Sequence, residues 1–337
     1  MPAAGPPIAI MPPSPGAAVA VPSNLVVVDL APRPASLRDE VIAGLSQPRK
    51  ALPPKLFYDG HGSELFAAIC RTSAYYLTRT ESAILAQQAG DIAAALGPGC
   101  SVLEPGAGEV RKIQLLLPAL RPRLYAGYDI SREPLVSAAA TLASRFPWLE
   151  VRAVHTDYLT SGLDTSGLPP GSRRVLFFPG SSIGNYSRAE AGAFLRQSRS
   201  VVGPGGAVLI GVDLKKPKPI LDLAYNDPEG YTARFNLNVL ARINRELGGS
   251  FALEAFRHLA FYNEARGCVE MHLVSRRNQQ LRLAGMLVSL RSGETIHTED
   301  SHKYAPEEFA DMARRAGFPE SRMWTDPAGW FGVFYLT

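Results

Sequence analysis

The stretch Ser101–Val110, "SVLEPGAGEV", begins as a short apolar run, reaches an acid at Glu104 and breaks at Gly106 and Gly108. A run of this kind reads as a buried strand ending in a turn. Outward from it the rhythm repeats. "RKIQLLLPAL" has a helical period, "RLYAGYDIS" is strand-like, and "EPLVSAAATLASRF" is helical again. Then come "LEVRAVHTDYL" and "RRVLFFPGSSIGNY" as third and fourth strands, "RAEAGAFLRQSRSVV" as a helix and "GAVLIGVDL" as a fifth strand. Strands alternating with helices at this spacing predict an α/β fold built on a doubly wound, mostly parallel sheet, here over residues 96–216.

In such a sheet ligands bind at the carboxyl ends of the strands, and the first strand–helix turn is the usual cradle. A dinucleotide turn requires a third glycine three residues after the second, where this chain has Arg111; a P-loop requires Gly-Lys-Ser/Thr, which is missing. Both phosphate readings are disfavoured. S-adenosylmethionine (SAM) carries no phosphate, so two glycines suffice for close approach of its backbone-facing side. Its ribose diol needs an acceptor carboxylate after the second strand, and Asp129 stands there, about 20 residues past the turn. Asp157, with Tyr158 beside it, occupies the matching place after the third strand. Turn and acids in this order predict a Rossmann-like, SAM-dependent methyltransferase.

The flanks are different in character. Residues 1–23 are rich in Pro, Ala and Gly and lack a basic start, which predicts a disordered extension rather than an export signal. Residues 24–95 read as mostly helical, with Thr78 or Thr80 as N-cap of "TRTESAILAQQAGDIAAAL" and a loop before it bearing Tyr75 and Tyr76. From about residue 217 to 300, one helical stretch and two or three strand-like runs suggest an inserted α+β substrate subdomain, and residues 301–337 return a helix and a strand to the main sheet.

The chain has 337 residues, 46% hydrophobic and 20% charged, with a net charge of +4 that is scattered rather than striped, which gives little support to a nucleic-acid partner. No run is long and apolar enough to predict a membrane span. Cys70, Cys100 and Cys268 are far apart, and the six histidines are dispersed with no HExxH, so neither a disulfide framework nor a metal site is expected, and a reducing, cytoplasmic setting is.

On the acceptor side the residues carry two readings each. Asn185 offers both a donor and an acceptor to a small polar ligand, or it caps the helix starting near "SRAEAGAF"; taken alone, capping is the simpler role. Tyr225 and Phe235 pack a helix pair or line a pocket, and Met271 is core or a contact for a ring. Glu299 and Ser301, two apart, face one side if the segment is extended. That makes them a recognition pair for a heteroaromatic N–H, or a polar loop in solvent.

Together, "LFYDGHGSELF", "YYLTRTESAIL", "LEPGAGEVRK", "GSSIGN", "AYNDPEGYTARFNLNVLARINREL", "VEMHLVS" and "GETIHTEDSHKY" resemble, in order over roughly residues 50–305, the histidine Nα-methyltransferase family of the ergothioneine pathway. The "AYND…FNLN" and "TE-x-S" segments are specific to that family, whereas the glycine turn is general to methyltransferases. The resemblance implies an enzyme that transfers three methyl groups from SAM to the α-amine of L-histidine, giving hercynine and S-adenosyl-L-homocysteine. It also implies a monomer with the substrate between the sheet domain and the insert. Carried onto matching positions, Asn185 and Tyr225 hold the substrate carboxylate, and Tyr75, Glu299 and Ser301 read the imidazole with Met271 packed on it. Tyr58 and the backbone at Gly180 face the amine, and Phe235 lines the pocket near the methyl. Glu104, Gly106, Gly108, Lys112, Asp129, Asp157 and Tyr158 serve the cofactor. The turn is Pro-Gly-Ala-Gly where many relatives have a Gly-Ser-Gly form, and Ser182 replaces a common threonine. The competing expectations are the same fold acting on another amino acid such as tryptophan, which loss of the acid at 299 or a change at Met271 would signal, and a non-catalytic module that binds SAM or an amino acid.

Overall fold

The computed structural model describes residues 22–30, 36–108, 110–283 and 285–337. The disordered extension expected at the start falls almost wholly on residues 1–21, which lie outside the described residues. The strands are β1 (Leu25–Asp29), β2 (Ser101–Pro105), β3 (Leu124–Asp129), β4 (Glu150–His155), β5 (Arg174–Phe178), β6 (Ala207–Asp213), β7 (Phe256–Asn263), β8 (Cys268–Ser275), β9 (Gln279–Leu283), β10 (Met286–Leu290), β11 (Thr295–His302), β12 (Ser321–Thr325) and β13 (Phe331–Leu336). Eight of them form one sheet in the order β1-β4-β3-β2-β5-β6-β13-β12, parallel up to β6 and antiparallel thereafter. Every residue of β2 and β6 is buried, as a central parallel strand covered on both faces requires. The chain reverses its direction of winding between β2 and β5, so the switch point, where an open α/β sheet leaves a crevice, lies between the glycine turn and the segment after β5.

Several local expectations are corrected. The segment 24–95 opens on a strand: "LVVVD" is a β-branched run that adds β1 to the sheet beside β4. The helix expected to be capped at Thr78 or Thr80 starts earlier, at Tyr76, and breaks at Gln88 into Tyr76–Gln87 and Ala89–Leu96. "RKIQLLLPAL" is not one helix but a 3₁₀ turn, Ile113–Leu115, and a single α-turn, Leu117–Leu120, with Pro118 unable to continue the backbone bonding. The carboxy-terminal region adds two strands, β12 and β13, rather than one.

The insert is a three-stranded antiparallel sheet, β11-β8-β7, with a separate β9–β10 hairpin. A boundary after residue 300 would cut β11, so Ser301 belongs to the same strand as Glu299. The long helix Tyr231–Leu247 connects this sheet to the amino-terminal helices. Asp227 fixes its start by accepting the N–H groups of Tyr231 and Thr232, both at 2.7 Å. Asp59 caps the helix Gly60–Ile69 through Gly62 N–H at 2.7 Å and also accepts Asn238 Nδ2 at 2.8 Å and Arg245 Nη2 at 2.6 Å, which ties that helix to the long one.

The helix Tyr76–Gln87 packs on the sheet where β6 has a glycine, and the buried carboxyl of Glu81 fills the space. A Cβ on Gly211 would stand 2.0 Å from Glu81 Oε1 and 3.1 Å from the Phe331 ring. Gly211→Ala is therefore expected to destabilise the protein by about 1–3 kcal/mol through overpacking. Gly90→Ala, on the helix Ala89–Leu96 with nothing within 4 Å of the new methyl, should be neutral or gain up to ~1 kcal/mol. Urea unfolding of the two variants checks this; equal effects would refute the packing account.

Candidate active site

The glycine turn leaves β2 with both glycines at positive φ, +68° for Gly106 and +51° for Gly108, where a side chain is strained. The backbone N–H groups of Gly106 and Ala107 are used on Tyr128 O. Above Gly108 there is open space, its nearest neighbour to an added Cβ being Gly106 O at 3.9 Å, so a ligand can lie directly on the backbone. Asp129, at the end of β3, is half-buried and accepts Gly108 N–H at 3.2 Å and Ser131 N–H at 2.8 Å. Burial raises its pKa while these backbone donors oppose the shift. Its carboxylate stands at the end of β3, beside the turn, as the acceptor that a vicinal diol needs. Asp157 and Tyr158 follow β4. Tyr158 has its hydroxyl 3.3 Å from where a Cβ on Gly106 would be and hydrogen-bonds Tyr186. Glu104 is buried beneath the turn, where it accepts the Tyr125 hydroxyl at 2.7 Å, and burial pushes its pKa up to about 8. These residues fit the adenosyl part of SAM: acceptors for a ribose, a bare backbone, and no cradle for a phosphate.

Lys112 links this half to the other. Its ammonium pairs with the buried Glu81, whose carboxylate accepts Gly180 N–H with both oxygens at 2.9 Å. Gly180 (φ +85°) and Ser181 (φ +57°) turn the chain sharply after β5 into the 3₁₀ turn Ser182–Asn185. That turn lies flat on the end of β11: a Cβ on Gly184 would come 2.9 Å from His302 O and 3.5 Å from Ser301 Oγ. Asn185 thereby sits beside Glu299, where its side chain favours the charged form of that carboxyl. It does not cap the next helix. Ser187 does, in a capping box with Glu190.

Glu299 and Ser301 lie on β11, beyond a register shift between His297 and Glu299, and Glu299 pairs with the buried Met271 on β8. They are not a solvent loop; Ser301 is buried, and loss of solvent pushes the Glu299 carboxyl up to about 7, partly offset by Lys303 and His297. Tyr225, where the helix Lys218–Ala224 ends, donates its hydroxyl to Ser301 Oγ at 2.7 Å. Aromatic rings close the rest. Tyr75 meets Tyr225 edge-on at 6.1 Å and Phe66 at 6.2 Å, while Phe235 stacks on Phe57 at 4.5 Å and touches Tyr58 at 5.7 Å and Phe66 at 5.8 Å. Tyr58 is the exposed member of this group, and its phenol is raised above the ordinary value, the nearby Glu299 charge opposing a phenolate.

The glycine turn, Glu104 and Asp129 form one set and Glu299, Ser301, Tyr225, Tyr75, Phe235 and Tyr58 another, with the Lys112–Glu81–Gly180 bridge between them. Sequence reasoning missed Glu81, Phe57, and a group of fully buried residues behind Tyr225: Tyr76, Asp213, Lys216 and Lys303. Lys303 carried one readable signal, since Glu299, Ser301 and Lys303 alternate along one face of an extended segment. Elsewhere, and among the described residues, Cys268, Asp300 and His302 bring ligand-type atoms within 4.8 Å of one another, but Asp300 is already held by Arg266 at 2.6 Å and His297 at 2.9 Å.

Residues 37–337 match the family model described as histidine-specific methyltransferase, SAM-dependent. The chain is 40% identical over 304 residues to the histidine N-alpha-methyltransferase of Mycolicibacterium smegmatis, covering 88% of this chain and 94% of that protein. It is 38% identical, at the same coverage, to the enzyme of that name from Mycobacterium tuberculosis. It is also 32% identical to ergothioneine biosynthesis protein 1 of Neurospora crassa, over 82% of this chain and 32% of that longer protein. With its fold, its glycine turn and its acceptor cleft, the chain belongs to the family of histidine-specific, SAM-dependent methyltransferases.

Proposed function

We propose that this protein methylates the α-amine of L-histidine three times with SAM, releasing hercynine and S-adenosyl-L-homocysteine, in ergothioneine biosynthesis. The observation that carries the reading is the pair Glu299 and Ser301 on β11, held against the segment after β5 by Asn185. A carboxylate and a hydroxyl on one strand face match the two ring nitrogens of an imidazole, with Tyr75 and Met271 as apolar and edge contacts. A site built on such hydrogen bonds rejects analogues lacking them by about 10⁴–10⁵, which separates histidine from tryptophan. Asn185 and Tyr225 take the carboxylate. Gly180 N–H is already spent on Glu81, so its carbonyl is the backbone group left to receive an amine hydrogen.

Transfer is an in-line attack of a neutral amine nitrogen on the sulfonium methyl: the N–C bond forms, the C–S bond breaks, and its electrons stay on sulfur. Most of the rate comes from positioning, where well-oriented reactants gain roughly 7–11 kcal/mol. The amine must lose a proton before each attack. The raised pKa of Tyr58 leaves its phenolate unpopulated near neutral pH, so Tyr58 serves as a neutral hydroxyl that orients the amine and passes its proton to water. Each transfer replaces an N–H by a methyl and leaves a cation, and the faces of Phe235, Phe66 and Phe57 suit that growing ammonium. A monomeric, cytoplasmic enzyme is part of this proposal.

Incubation with SAM and a panel of amino acids, followed by mass spectrometry, should show a gain of three methyl groups on histidine. Glu299→Ala should lower kcat/KM for histidine by about 10²-fold or more and leave SAM affinity within about threefold. Equal losses for both ligands, or no methylated amino acid at all, would refute the assignment.

Glu299 also makes a stability prediction. Its folded-state pKa of about 7 lies above the unfolded value, so its contribution is favourable when it is protonated and is lost as pH rises through the folded value. Ligand-free Glu299→Gln should therefore resist urea better than the native protein near about pH 8, with the advantage vanishing near about pH 5. A pH-independent difference would mean that the carboxyl is not desolvated.

A further inference from the structure

Behind the cleft lies a cluster of charges that no contact with substrate explains. Lys303 and Asp213 have no exposed surface, and the Lys216 side chain is 2% exposed. The Lys303 ammonium has three hydrogens and places them on Asp213 Oδ2 at 2.7 Å, Tyr225 Oη at 3.0 Å and Ser301 Oγ at 2.9 Å. Asp213 is held independently by Lys216 at 2.6 Å and by the Tyr76 hydroxyl at 2.9 Å, and Lys216 also donates to Tyr76 Oη at 2.7 Å. Two ammonium groups and one carboxylate leave the buried cluster with one net positive charge. Burial opposes the charge on Lys303, but Asp213 holds its pKa above the ordinary range; burial instead pulls Lys216 down to about 8.

An ammonium can only donate. Ser301 Oγ accepts from Lys303 and from Tyr225, so its own hydrogen is what remains for a ligand. When Tyr225 turns its hydrogen to a ligand, its oxygen still accepts from Lys303, and Ser301 stays beside the cation, a better donor and a poorer acceptor. We propose that Lys303 is a positioning residue that fixes the hydrogen-bond polarity of the cleft, making Tyr225 and Ser301 donors and so selecting a carboxylate and an unprotonated ring nitrogen. This rests on the histidine reading above and adds to it the state of the bound ring: neutral imidazole, its N–H on Glu299 and its bare nitrogen on Ser301. An imidazolium would turn an N–H toward a hydroxyl already pointing a hydrogen outward, with a buried cation behind it.

The test compares histidine with its two pyrrole isosteres, each keeping one N–H and replacing the other ring nitrogen by C–H. The native enzyme should prefer histidine over the better isostere by about 10²-fold or more, because the isostere leaves the Ser301 hydrogen without an acceptor. Lys303→Met keeps the bulk, and Asp213 remains paired with Lys216 and Tyr76. Freed of the ammonium, Ser301 and Tyr225 can satisfy each other, so the preference should shrink at least about tenfold while S-adenosylhomocysteine affinity is unchanged. Ser301→Ala should shrink it similarly, and the double variant no further. A Lys303→Met enzyme that loses activity equally on histidine and isosteres would overturn the proposal.

Should Lys303→Met fail to fold, nitrogen NMR of ring-labelled histidine on the native protein with S-adenosylhomocysteine decides. At about pH 6.5, where free imidazole is roughly half ionised, the bound ring should show one protonated and one bare nitrogen. An imidazolium on an enzyme that methylates histidine would overturn the polarity claim alone. A native enzyme that neither binds nor methylates histidine would overturn the functional reading and this claim together.

Discussion

The missing side chain at Gly184 is the constraint on which the site depends. The turn after β5 has to lie against β11 closely enough that a Cβ would clash with the backbone of His302 at 2.9 Å. That contact presses the cofactor end of a parallel sheet onto the end of β11 in an antiparallel insert, beside the Lys303–Asp213 pair at 2.7 Å. The parallel sheet alone supplies a glycine turn and acids at the ends of β2, β3 and β4, which is a nucleoside site without a reaction. The insert alone supplies a carboxyl and a hydroxyl with nothing to transfer. Asn185, carried by the same turn as Gly184, reaches Glu299 because the backbones touch.

The electrostatics follow from enclosing such a site. Glu299 is raised by lost solvent, Glu81 is buried and matched to Lys112, and Asp213 is matched to two lysines. Buried pairs of this kind contribute little net stability, since desolvation offsets most of the attraction. What they do is hold geometry. Glu81 illustrates it: one carboxylate takes the cation of Lys112 from beyond the glycine turn and the N–H of Gly180 from beyond β5, and so sets the distance between donor and acceptor segments. Its place over the sheet exists because β6 has a glycine at 211.

How much of this was legible follows from physical range. Apolar periodicity along the chain gave the parallel sheet, and the register of β2, β3 and β4 put Gly106, Asp129 and Asp157 at neighbouring strand ends, since local pattern and sheet topology determine both. Alternation along an extended segment put Glu299 and Ser301 on one side but did not separate a recognition pair from a solvent loop. The start of the helix at Tyr76 was not legible, because Tyr75 caps it without a side-chain bond and tertiary contacts to Asp213 fix Tyr76. Nor was β1, a short edge strand whose exposed Val26 and Val27 read equally well as part of an irregular lead-in. Lysine is almost never fully buried unless paired, and the partner of Lys216 and Lys303, Asp213, is supplied by the sheet and not by local pattern.

The three-fold reaction asks something unusual of this cleft. A group that accepts an N–H from the free amine loses that partner as methyls accumulate, so amine hydrogen bonds cannot hold the nitrogen in place through the whole sequence. In the proposed arrangement what persists is the grip on the rest of the molecule: Asn185 and Tyr225 at one end, Glu299 and Ser301 at the other, with a ring of aromatic faces around a nitrogen whose bulk increases. On that proposal the polar network lies away from the reacting atom, behind Tyr225 and Ser301, and the Phe57, Phe66 and Phe235 rings, packed on one another, offer the amine little polarity. Anchoring at the unchanging ends lets one geometry serve a primary, a secondary and a tertiary amine in turn.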